Sequence, residues 1–232
     1  MKGQIHSIQT LGATDGPGVR FTVFTQGCPL RCACCHNPDT WEPGGKEMSA
    51  EELVNKAARY REYFKDAGGI TVSGGEPLLQ AEFVTELFKI AKDKSIHTCL
   101  DTSGCVLNDA VQELLEVTDL VLLDVKYTTE EDYRKYVGCE LSGVLEFLAL
   151  LQEKGKRTWV RQVIIPGLND NEENIMRLKD LVAKYSVVEK VELLPFKKLC
   201  ETKYENLKID FPLKDTPQAS KERVLELQSI LG

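Results

Sequence analysis

Four of the chain's eight cysteines lie within the segment "CPLRCACCHN", residues 28–37. Cys28, Cys32 and Cys35 have the spacing C-x3-C-x2-C, which would let three thiolates close on one small inorganic group. Such a set suits a cubane iron–sulfur cluster in which one iron has no protein ligand, because cysteine is the expected ligand of these clusters. With His36 the same cysteines could form a zinc site. Cys32 and Cys35 also have the C-x-x-C spacing of a redox dithiol.

Strand-like and helix-like segments alternate along the chain in six strand-then-helix units. The first predicted helix opens with a capping box, in which Ser49 precedes Glu52 by three residues. Apolar strands alternating with amphipathic helices indicate a parallel sheet covered by helices, so the predicted fold class is α/β, with one domain over residues 1–232. A barrel and an open doubly wound sheet both satisfy this pattern. The predicted strands span 19–26, 69–73, 97–102, 120–125, 158–165 and 188–194, and the predicted helices 49–68, 80–94, 109–117, a longer region around 129–155, 173–185 and 219–231.

Polar and glycine-rich segments follow the predicted strands at the end where ligands bind in parallel α/β folds. The cysteine segment follows the first strand, and each later strand contributes further groups to the same edge. We therefore expect one pocket at this edge. The contributing segments are "SGGEP" (73–77), "DTSG" (101–104), Asp124 with Lys126, Arg161, and "LLPFKK" (193–198).

Composition limits the classes of function that the chain could have. Lys and Arg number 29 and Asp and Glu 36, a formal net charge of −7 that argues against a nucleic-acid partner. The N-terminus has no signal-peptide h-region and no apolar run is long enough to span a membrane, so we expect a cytoplasmic protein. Eight cysteines in such a protein indicate metal or redox chemistry. The four scattered ones are predicted to be small buried hydrophobic residues: Cys99, Cys105, Cys139 and Cys200.

The C-x3-C-x2-C segment after the first strand, and "GGEP" after the second, resemble the two hallmarks of the radical S-adenosylmethionine (SAM) superfamily. Further segments resemble the activases of glycyl-radical enzymes. The resemblance covers nearly the whole chain and implies a partial (β/α)6 barrel of six parallel strands with outer helices. Only thirteen residues separate Cys35 from Ser49, with no cysteine among them, so the ferredoxin-like domain inserted in some activases is absent. The further segments are "DGPGVR" (15–20), "CHNPDTW" (35–41), "SGGEPLLQ" (73–80), "CLDTSG" (99–104) and "LLDVK" (122–126).

The resemblance implies an anaerobic oxidoreductase with a [4Fe-4S] cluster on Cys28, Cys32 and Cys35 and SAM on the open iron. Reductive cleavage of SAM would give a 5′-deoxyadenosyl radical that abstracts the α-hydrogen of one glycine in a partner protein. No protein residue beyond the cluster and cofactor is then expected to be catalytic. The resemblance implies pyruvate formate-lyase as the partner, and the lack of an insert favours it over dehydratases and decarboxylases. A flavodoxin or ferredoxin is the expected electron donor, and the chain is expected to be a monomer.

The resemblance also implies roles for residues around the cluster. For several of these residues a simpler structural explanation remains open. Gly74 and Gly75 would let the backbone approach the ligand, although a GGE turn alone is a weak signal. Asp101 and Thr102 could instead cap the next helix. Asp124 and Lys126 could simply be an ion pair. The expected cofactor-binding residues are Cys34, His36, Gly74, Gly75, Glu76, Asp101, Thr102, Asp124, Val125, Lys126 and Lys197, and the expected substrate-loop residues are Asp15, His36, Asn37 and Arg161. A monovalent cation is associated in this family with the positions matching Asp101, Thr102 and Asp124.

Two positions depart from the family pattern. Cys34 stands where the superfamily commonly has an aromatic residue near the adenine, and Lys197 stands where related enzymes have a histidine. The alternatives are an activase of another glycyl-radical enzyme, radical chemistry on a small molecule, and a zinc-stabilised binding module without catalysis.

Overall fold

The structure, a computed structural model, describes all 232 residues. It contains eight strands, nine α-helices and two short 3-10 helices, Pro38–Thr40 and Pro77–Gln80. The strands are β1 (Lys2–Gly12), β2 (Arg20–Thr25), β3 (Lys46–Ser49), β4 (Gly69–Gly74), β5 (His97–Thr102), β6 (Leu120–Asp124), β7 (Thr158–Ile164) and β8 (Val188–Pro195). The helices are α1 (Ala50–Ala58), α2 (Arg61–Phe64), α3 (Ala81–Asp93), α4 (Asp109–Glu116), α5 (Glu130–Tyr136), α6 (Leu141–Glu153), α7 (Glu172–Val182), α8 (Glu201–Leu207) and α9 (Lys221–Leu231). Two compact units divide the chain, the first Met1–Pro29 with Thr40–Leu122 and the second Leu30–Asp39 with Leu123–Gly232.

Three parallel strands form the centre of the first unit. β2 pairs with β4 and β4 with β5, placing Thr22 opposite Thr71 and Thr71 opposite Cys99. β1 runs antiparallel to both β2 and β3, so the strand order is β3-β1-β2-β4-β5, followed by the first residues of β6. α3 packs against α1 and α4. Val23 and Val72 are fully buried, as expected for strands covered on both faces.

In the second unit, β7 and β8 pair in parallel, preceded in the strand order by the last residues of β6. α9 packs against β8 and α7, and α5 packs against α6. The apolar faces of α6 and α7 are fully buried at Phe147, Leu148, Ile175 and Leu178. These side chains are central to the core of this unit.

All six predicted strands are present, and two strands were not predicted. β1 buries few side chains, Ile5 among them, and otherwise carries polar or exposed residues. β3 has only four residues. Neither strand has the continuous apolar run that identified the other six, so sequence patterning alone gave no signal for them.

The helix predicted over 49–68 is wrong as a single element. Its start is confirmed, since Ser49 Oγ accepts a hydrogen bond from the Glu52 N–H at 3.1 Å. The helix nevertheless ends at Ala58, and α2 follows after Tyr60, whose φ of −102° and ψ of 9° are not helical. The predicted helical region around 129–155 is present as two helices, α5 and α6, with Gly138 at φ 86° between them.

Two of the four scattered cysteines are buried as predicted, Cys99 and Cys200. Cys105 and Cys139 are only half-buried, so the prediction is wrong for them. No helix has the length and apolar character needed to cross a membrane.

Candidate functional site

The glycine pair after β4 packs against the end of β2. The Gly75 N–H donates to the Thr25 carbonyl at 2.9 Å. Gly74 has a φ of 117°, and a Cβ there would overlap the Thr25 nitrogen. A Cβ at Gly75 would overlap the Gly27 carbonyl and lie 3.3 Å from the Cys28 Cβ. Close packing of the turn on the residues that lead to Cys28 therefore requires both glycines. The expected approach of a ligand to the same two glycines stays a prediction.

Glu76 ties this turn to the segment after β5. Its side chain is 1% exposed. Oε1 accepts from the Leu78 N–H at 3.1 Å and the Thr102 hydroxyl at 2.5 Å, and Oε2 accepts from the Ser103 N–H at 3.0 Å and its hydroxyl at 2.5 Å. The Glu76 N–H donates to the Gly27 carbonyl at 2.8 Å. The Glu76 carboxylate thus joins the glycine turn to the "DTSG" segment, while the Glu76 backbone N–H joins the turn to the residue before Cys28.

Asp101 lies at the end of β5, where its Oδ2 accepts from the Ser73 hydroxyl at 2.7 Å. The alternative that Asp101 and Thr102 cap the next helix is wrong. α4 begins at Asp109, and its cap is Asn108, whose side chain accepts from the Val111 N–H. Asp101 and Thr102 therefore belong to the strand end, beside Glu76 and Ser73.

Cys28 lies in the first unit, and the other three clustered cysteines lie in the second, on the segment Leu30–Asp39. The Cys28 N–H donates to the Trp41 carbonyl at 3.2 Å. In the second unit the Cys35 N–H donates to the Cys32 carbonyl at 3.0 Å, which closes a tight turn between these two cysteines. The Ala33 N–H donates to the Tyr136 carbonyl at 2.7 Å, so the C-terminal end of α5 holds one side of the segment.

The segment after β8 holds the other side of Leu30–Asp39. His36 Nε2 donates to the Lys197 carbonyl at 2.8 Å, which brings together two predicted cofactor-binding residues. The Tyr204 hydroxyl donates to the Cys35 carbonyl at 3.2 Å. Lys203 Nζ donates to Asn37 Oδ1 at 2.8 Å and also pairs with Asp39. Sequence reasoning missed Lys203 and Tyr204 because their partners lie more than 160 residues away along the chain.

Asp124 forms ion pairs with two cations of the second unit, which confirms the ion-pair interpretation of Asp124 and Lys126. Lys126 Nζ lies 2.9 Å from Oδ2, and Arg161 Nη2 lies 3.1 Å from Oδ1. Burial alone would raise the pKa of Asp124, but the charges of Lys126 and Arg161 outweigh it and hold the pKa below its ordinary value. The pKa of Lys126 is raised well above normal because Asp124, Cys32 and other groups outweigh the effect of burial. Arg161 is thus an ion-pair partner of Asp124, and its role toward a substrate stays a prediction.

The surroundings of Cys32 and Cys35 in the second unit suit an iron–sulfur group, whereas the neighbouring Cys34 has the character of a neutral thiol. Burial raises the pKa of Cys34 to about 11, although Lys126 opposes the shift, so this thiol stays protonated at neutral pH. Tyr127 stacks on Tyr136 at 5.2 Å, and the Tyr127 hydroxyl is buried without a hydrogen-bond partner. Cys34 and Cys32 lie near enough to influence its pKa. Cysteine thiolates bind iron–sulfur clusters, and cluster sulfur accepts hydrogen bonds.

The remaining predicted residues fall within one unit or the other. Asp15 lies in the first unit, where it contacts side chains of β2 and β4. Val125 is buried in the second unit, and its N–H donates to the Arg161 carbonyl at 2.9 Å. None of the eight cysteines forms a disulfide. No group of three or more His, Cys, Asp or Glu side chains is arranged to hold a single metal ion.

Comparison with known protein families gives one match, to the radical SAM superfamily over residues 22–178, more than half of the chain. The chain is 46% identical over 231 residues to the pyruvate formate-lyase-activating enzyme of Clostridium pasteurianum, covering 99% of this chain and 97% of the relative. It is 42% identical over 233 residues to the pyruvate formate-lyase 1-activating enzyme of Escherichia coli (strain K12), covering 99% and 95%.

Solved structures show the same fold. A radical SAM methyltransferase from Sphaerobacter thermophilus matches with a TM-score of 0.64 and 18% identity, covering 99% of this chain and 74% of the other. A domain of the pyruvate-formate lyase-activating enzyme from Bacteroides vulgatus ATCC 8482 matches with a TM-score of 0.58 and 24% identity, covering 71% and 92%. The predicted α/β fold class of the radical SAM type is thereby confirmed.

Proposed function

Because the chain belongs to the radical SAM superfamily, we propose that it is the activating enzyme that makes a glycyl radical on pyruvate formate-lyase. Membership of the superfamily implies a [4Fe-4S] cluster and SAM. When bound, they supply the electron and the 5′-deoxyadenosyl radical that abstracts the α-hydrogen of the target glycine. Identity of 46% and 42% to two activating enzymes over nearly the full length of both chains is the observation that carries the proposal.

We assign the cluster to Cys28, Cys32 and Cys35. Their C-x3-C-x2-C spacing and the match to the superfamily support the assignment. The backbone contacts support it further, because hydrogen bonds hold the chain at or beside each of the three cysteines. Gly75 packs on the residue before Cys28, and the ends of α5 and β8 hold the turn that contains Cys32 and Cys35.

For SAM, we propose contacts with Asp101 and Lys197. In the first unit the Glu76 carboxylate is occupied by hydrogen bonds that link the segments after β4 and β5. We therefore expect the backbone of the "SGGEP" segment and the side chain of Asp101 to contact SAM. In the second unit, Lys197 offers an ammonium group while its carbonyl holds His36. A monovalent cation at Asp124 would have to compete with Lys126 and Arg161.

The proposal also includes an electron donor, an oligomeric state and a cellular compartment for the enzyme. A flavodoxin or ferredoxin supplies the electron, the enzyme works as a monomer, and it acts in the cytoplasm under anaerobic conditions. Support for the cytoplasm is chemical. A chain with many cysteines and no disulfide is typical of a reducing compartment, and none of the eight cysteines forms a disulfide here.

Anaerobic reconstitution tests the proposal. The purified chain is loaded with iron and sulfide, reduced, and given SAM together with pyruvate formate-lyase. We expect a reducible four-iron cluster, release of methionine and 5′-deoxyadenosine, and a glycyl radical signal on the partner. The matched control is Cys28→Ala, which keeps the fold but lacks one cluster ligand. SAM cleavage no faster than this control would refute the enzymatic proposal. Cleavage without a glycyl radical on pyruvate formate-lyase would redirect it to another glycyl-radical enzyme.

A further inference from the structure

The Tyr127 hydroxyl is a buried polar group of the second unit that has no hydrogen-bond partner. Tyr127 lies three residues beyond Asp124, the last residue of β6, and is 2% exposed. Burying a hydroxyl without a partner costs free energy, and such a group in a native protein can mark a redox or catalytic role or a bound ion. The neighbours of the hydroxyl therefore indicate what it serves.

Aromatic packing fixes the Tyr127 ring beside the cysteine segment. The ring stacks on Tyr136, with centroids 5.2 Å apart and an angle of 28° between the planes. The Tyr136 carbonyl accepts a hydrogen bond from the Ala33 N–H at 2.7 Å. Ala33 is the residue between Cys32 and Cys34. Tyr127 thus stacks on the residue that is bonded directly to the chain between these two cysteines.

The groups close to Tyr127 leave only sulfur as an acceptor for its hydroxyl. Burial raises the pKa of Tyr127 most, and four neighbours raise it further, in the order Cys34, Tyr136, Asp132 and Cys32. The Asp132 carboxylate is held at the start of α5, where Oδ2 accepts from the Thr129 hydroxyl at 2.7 Å. Tyr136 meets Tyr127 ring against ring, a geometry that brings their faces together. The two cysteines are the neighbours that remain.

Of these two cysteines, Cys32 becomes the better acceptor when iron is bound. Cys34 is not a predicted ligand, and a thiol sulfur is only a weak acceptor. Cys32 is a predicted ligand, and the sulfur of a cluster-bound thiolate accepts hydrogen bonds. Cys32 is also buried, whereas Cys28 and Cys35 are half-buried, so it is the ligand with the least access to water as a donor. A donor from the protein therefore matters most at Cys32.

We propose that the Tyr127 hydroxyl donates a hydrogen bond to Cys32 Sγ when the cluster is bound, and that this bond raises the reduction potential of the cluster. This role rests on the proposed function, in which the chain holds a four-iron cluster that accepts one electron. Reduction adds negative charge to the cluster and its thiolates, and a hydrogen bond to a more negative acceptor is stronger. The hydroxyl thus stabilises the reduced cluster more than the oxidised one, so a weaker electron donor can reduce it.

An anaerobic redox titration of the reconstituted chain without SAM, followed by EPR of the reduced cluster, tests this role in Tyr127→Phe. Phenylalanine keeps the stacked ring and removes only the hydroxyl. We expect unchanged iron and sulfide content and a roughly three- to tenfold smaller equilibrium constant for one-electron reduction, which lowers the potential by about 30–60 mV. The matched control, Tyr136→Phe, removes the hydroxyl from the other ring of the stack and should leave the potential unchanged. An unchanged potential in Tyr127→Phe, or an equal decrease in both variants, would overturn the proposal.

The same titration in a Cys34→Ala background distinguishes the two sulfur acceptors. If the hydroxyl serves Cys32, Tyr127→Phe should lower the potential by the same amount with or without the Cys34 thiol. A decrease that disappears in Cys34→Ala would assign the hydrogen bond to Cys34 and reject Cys32 as the acceptor.

Thermal unfolding of the cluster-free chain separates this role from a merely structural one. Tyr127→Phe removes a hydroxyl without a partner, so we expect a Tm equal to or above that of the wild type. Tyr133→Phe removes a hydroxyl that accepts from the Lys126 N–H at 3.0 Å, so its Tm should fall. A lower Tm for Tyr127→Phe would show that the protein itself supplies the partner, contrary to the proposal.

Iron content and radical formation distinguish failure of this role from failure of the proposed function. A wild-type chain that binds no four-iron cluster refutes both. A chain that shows the expected potentials but forms no glycyl radical on pyruvate formate-lyase refutes the proposed function alone. A chain that forms the radical, with equal potentials in the wild type and Tyr127→Phe, refutes the role of Tyr127 alone.

Discussion

Glu76→Gln should destabilise the first unit strongly, because the carboxylate of Glu76 accepts four hydrogen bonds while 1% exposed. Each carboxylate oxygen receives one backbone N–H, from Leu78 on one side and Ser103 on the other. In glutamine one oxygen becomes an amide NH2, which only donates. Whichever way the amide turns, it places a donor against a buried backbone N–H.

The magnitude follows from that mismatch. A buried donor left without an acceptor costs about 1–3 kcal/mol, and the surviving bonds lose their charged acceptor, so we expect a total of about 2–4 kcal/mol. In a domain of this size, 1 kcal/mol lowers the Tm by about 2–4 °C. The expected decrease in Tm for Glu76→Gln is therefore roughly 4–16 °C.

Thermal unfolding followed by far-UV circular dichroism, under anaerobic conditions and without cluster, measures this change. Glu113→Gln on α4 is the matched control, since it removes the same charge from an exposed position. We expect the control to stay within about 1–2 °C of the wild type. If Glu76→Gln unfolds at the same temperature as Glu113→Gln, the carboxylate does not join the two loops and the reasoning fails.

Three further changes test other parts of the site. The ion pairs with Lys126 and Arg161 hold the pKa of Asp124 in the folded state below its unfolded-state value of about 3.9. The stabilisation from these ion pairs is therefore complete above about pH 3.9 and is lost as the pH falls through the folded-state pKa. Asp124→Asn should therefore lower stability to urea at pH 7 and flatten its decline in acid; an unchanged acid slope would contradict this. Gly75→Ala should reduce iron incorporation, because the added Cβ would displace the loop that carries Cys28. The control Gly143→Ala places a Cβ in open space on α6 and should leave iron incorporation unchanged and stability equal or higher. Equal iron content in the two variants would refute the packing argument. Cys34→Ala should keep the iron and sulfide content that Cys32→Ala loses, and loss in both would make Cys34 a ligand.

Much of the framework could be predicted because its signals are local. Six apolar strands, the Ser49 cap and the order of the polar segments were all readable from neighbouring residues. β1 and β3 were missed because they bury little, and α8 because it is short and polar. Such elements form by pairing with residues that are distant in the sequence, and the local pattern of apolar residues does not indicate that pairing.

The types of the site residues could be predicted, but their contacts could not. Nothing near Glu76 indicates that its carboxylate serves Thr102 and Ser103, and nothing near His36 indicates a bond to the Lys197 carbonyl. These contacts join residues 26 to 161 positions apart, and only the folded chain brings them together.

Transfer of an isotope label is the most direct test of the central claim, that this chain abstracts the α-hydrogen of a glycine in pyruvate formate-lyase. The partner is prepared with glycine deuterated at the α-carbon and mixed anaerobically with the reconstituted, reduced chain and SAM. The account predicts deuterium in the 5′-deoxyadenosine, in step with a glycyl radical signal on the partner. 5′-Deoxyadenosine without deuterium, formed at the same rate whether or not the partner is present, would contradict it.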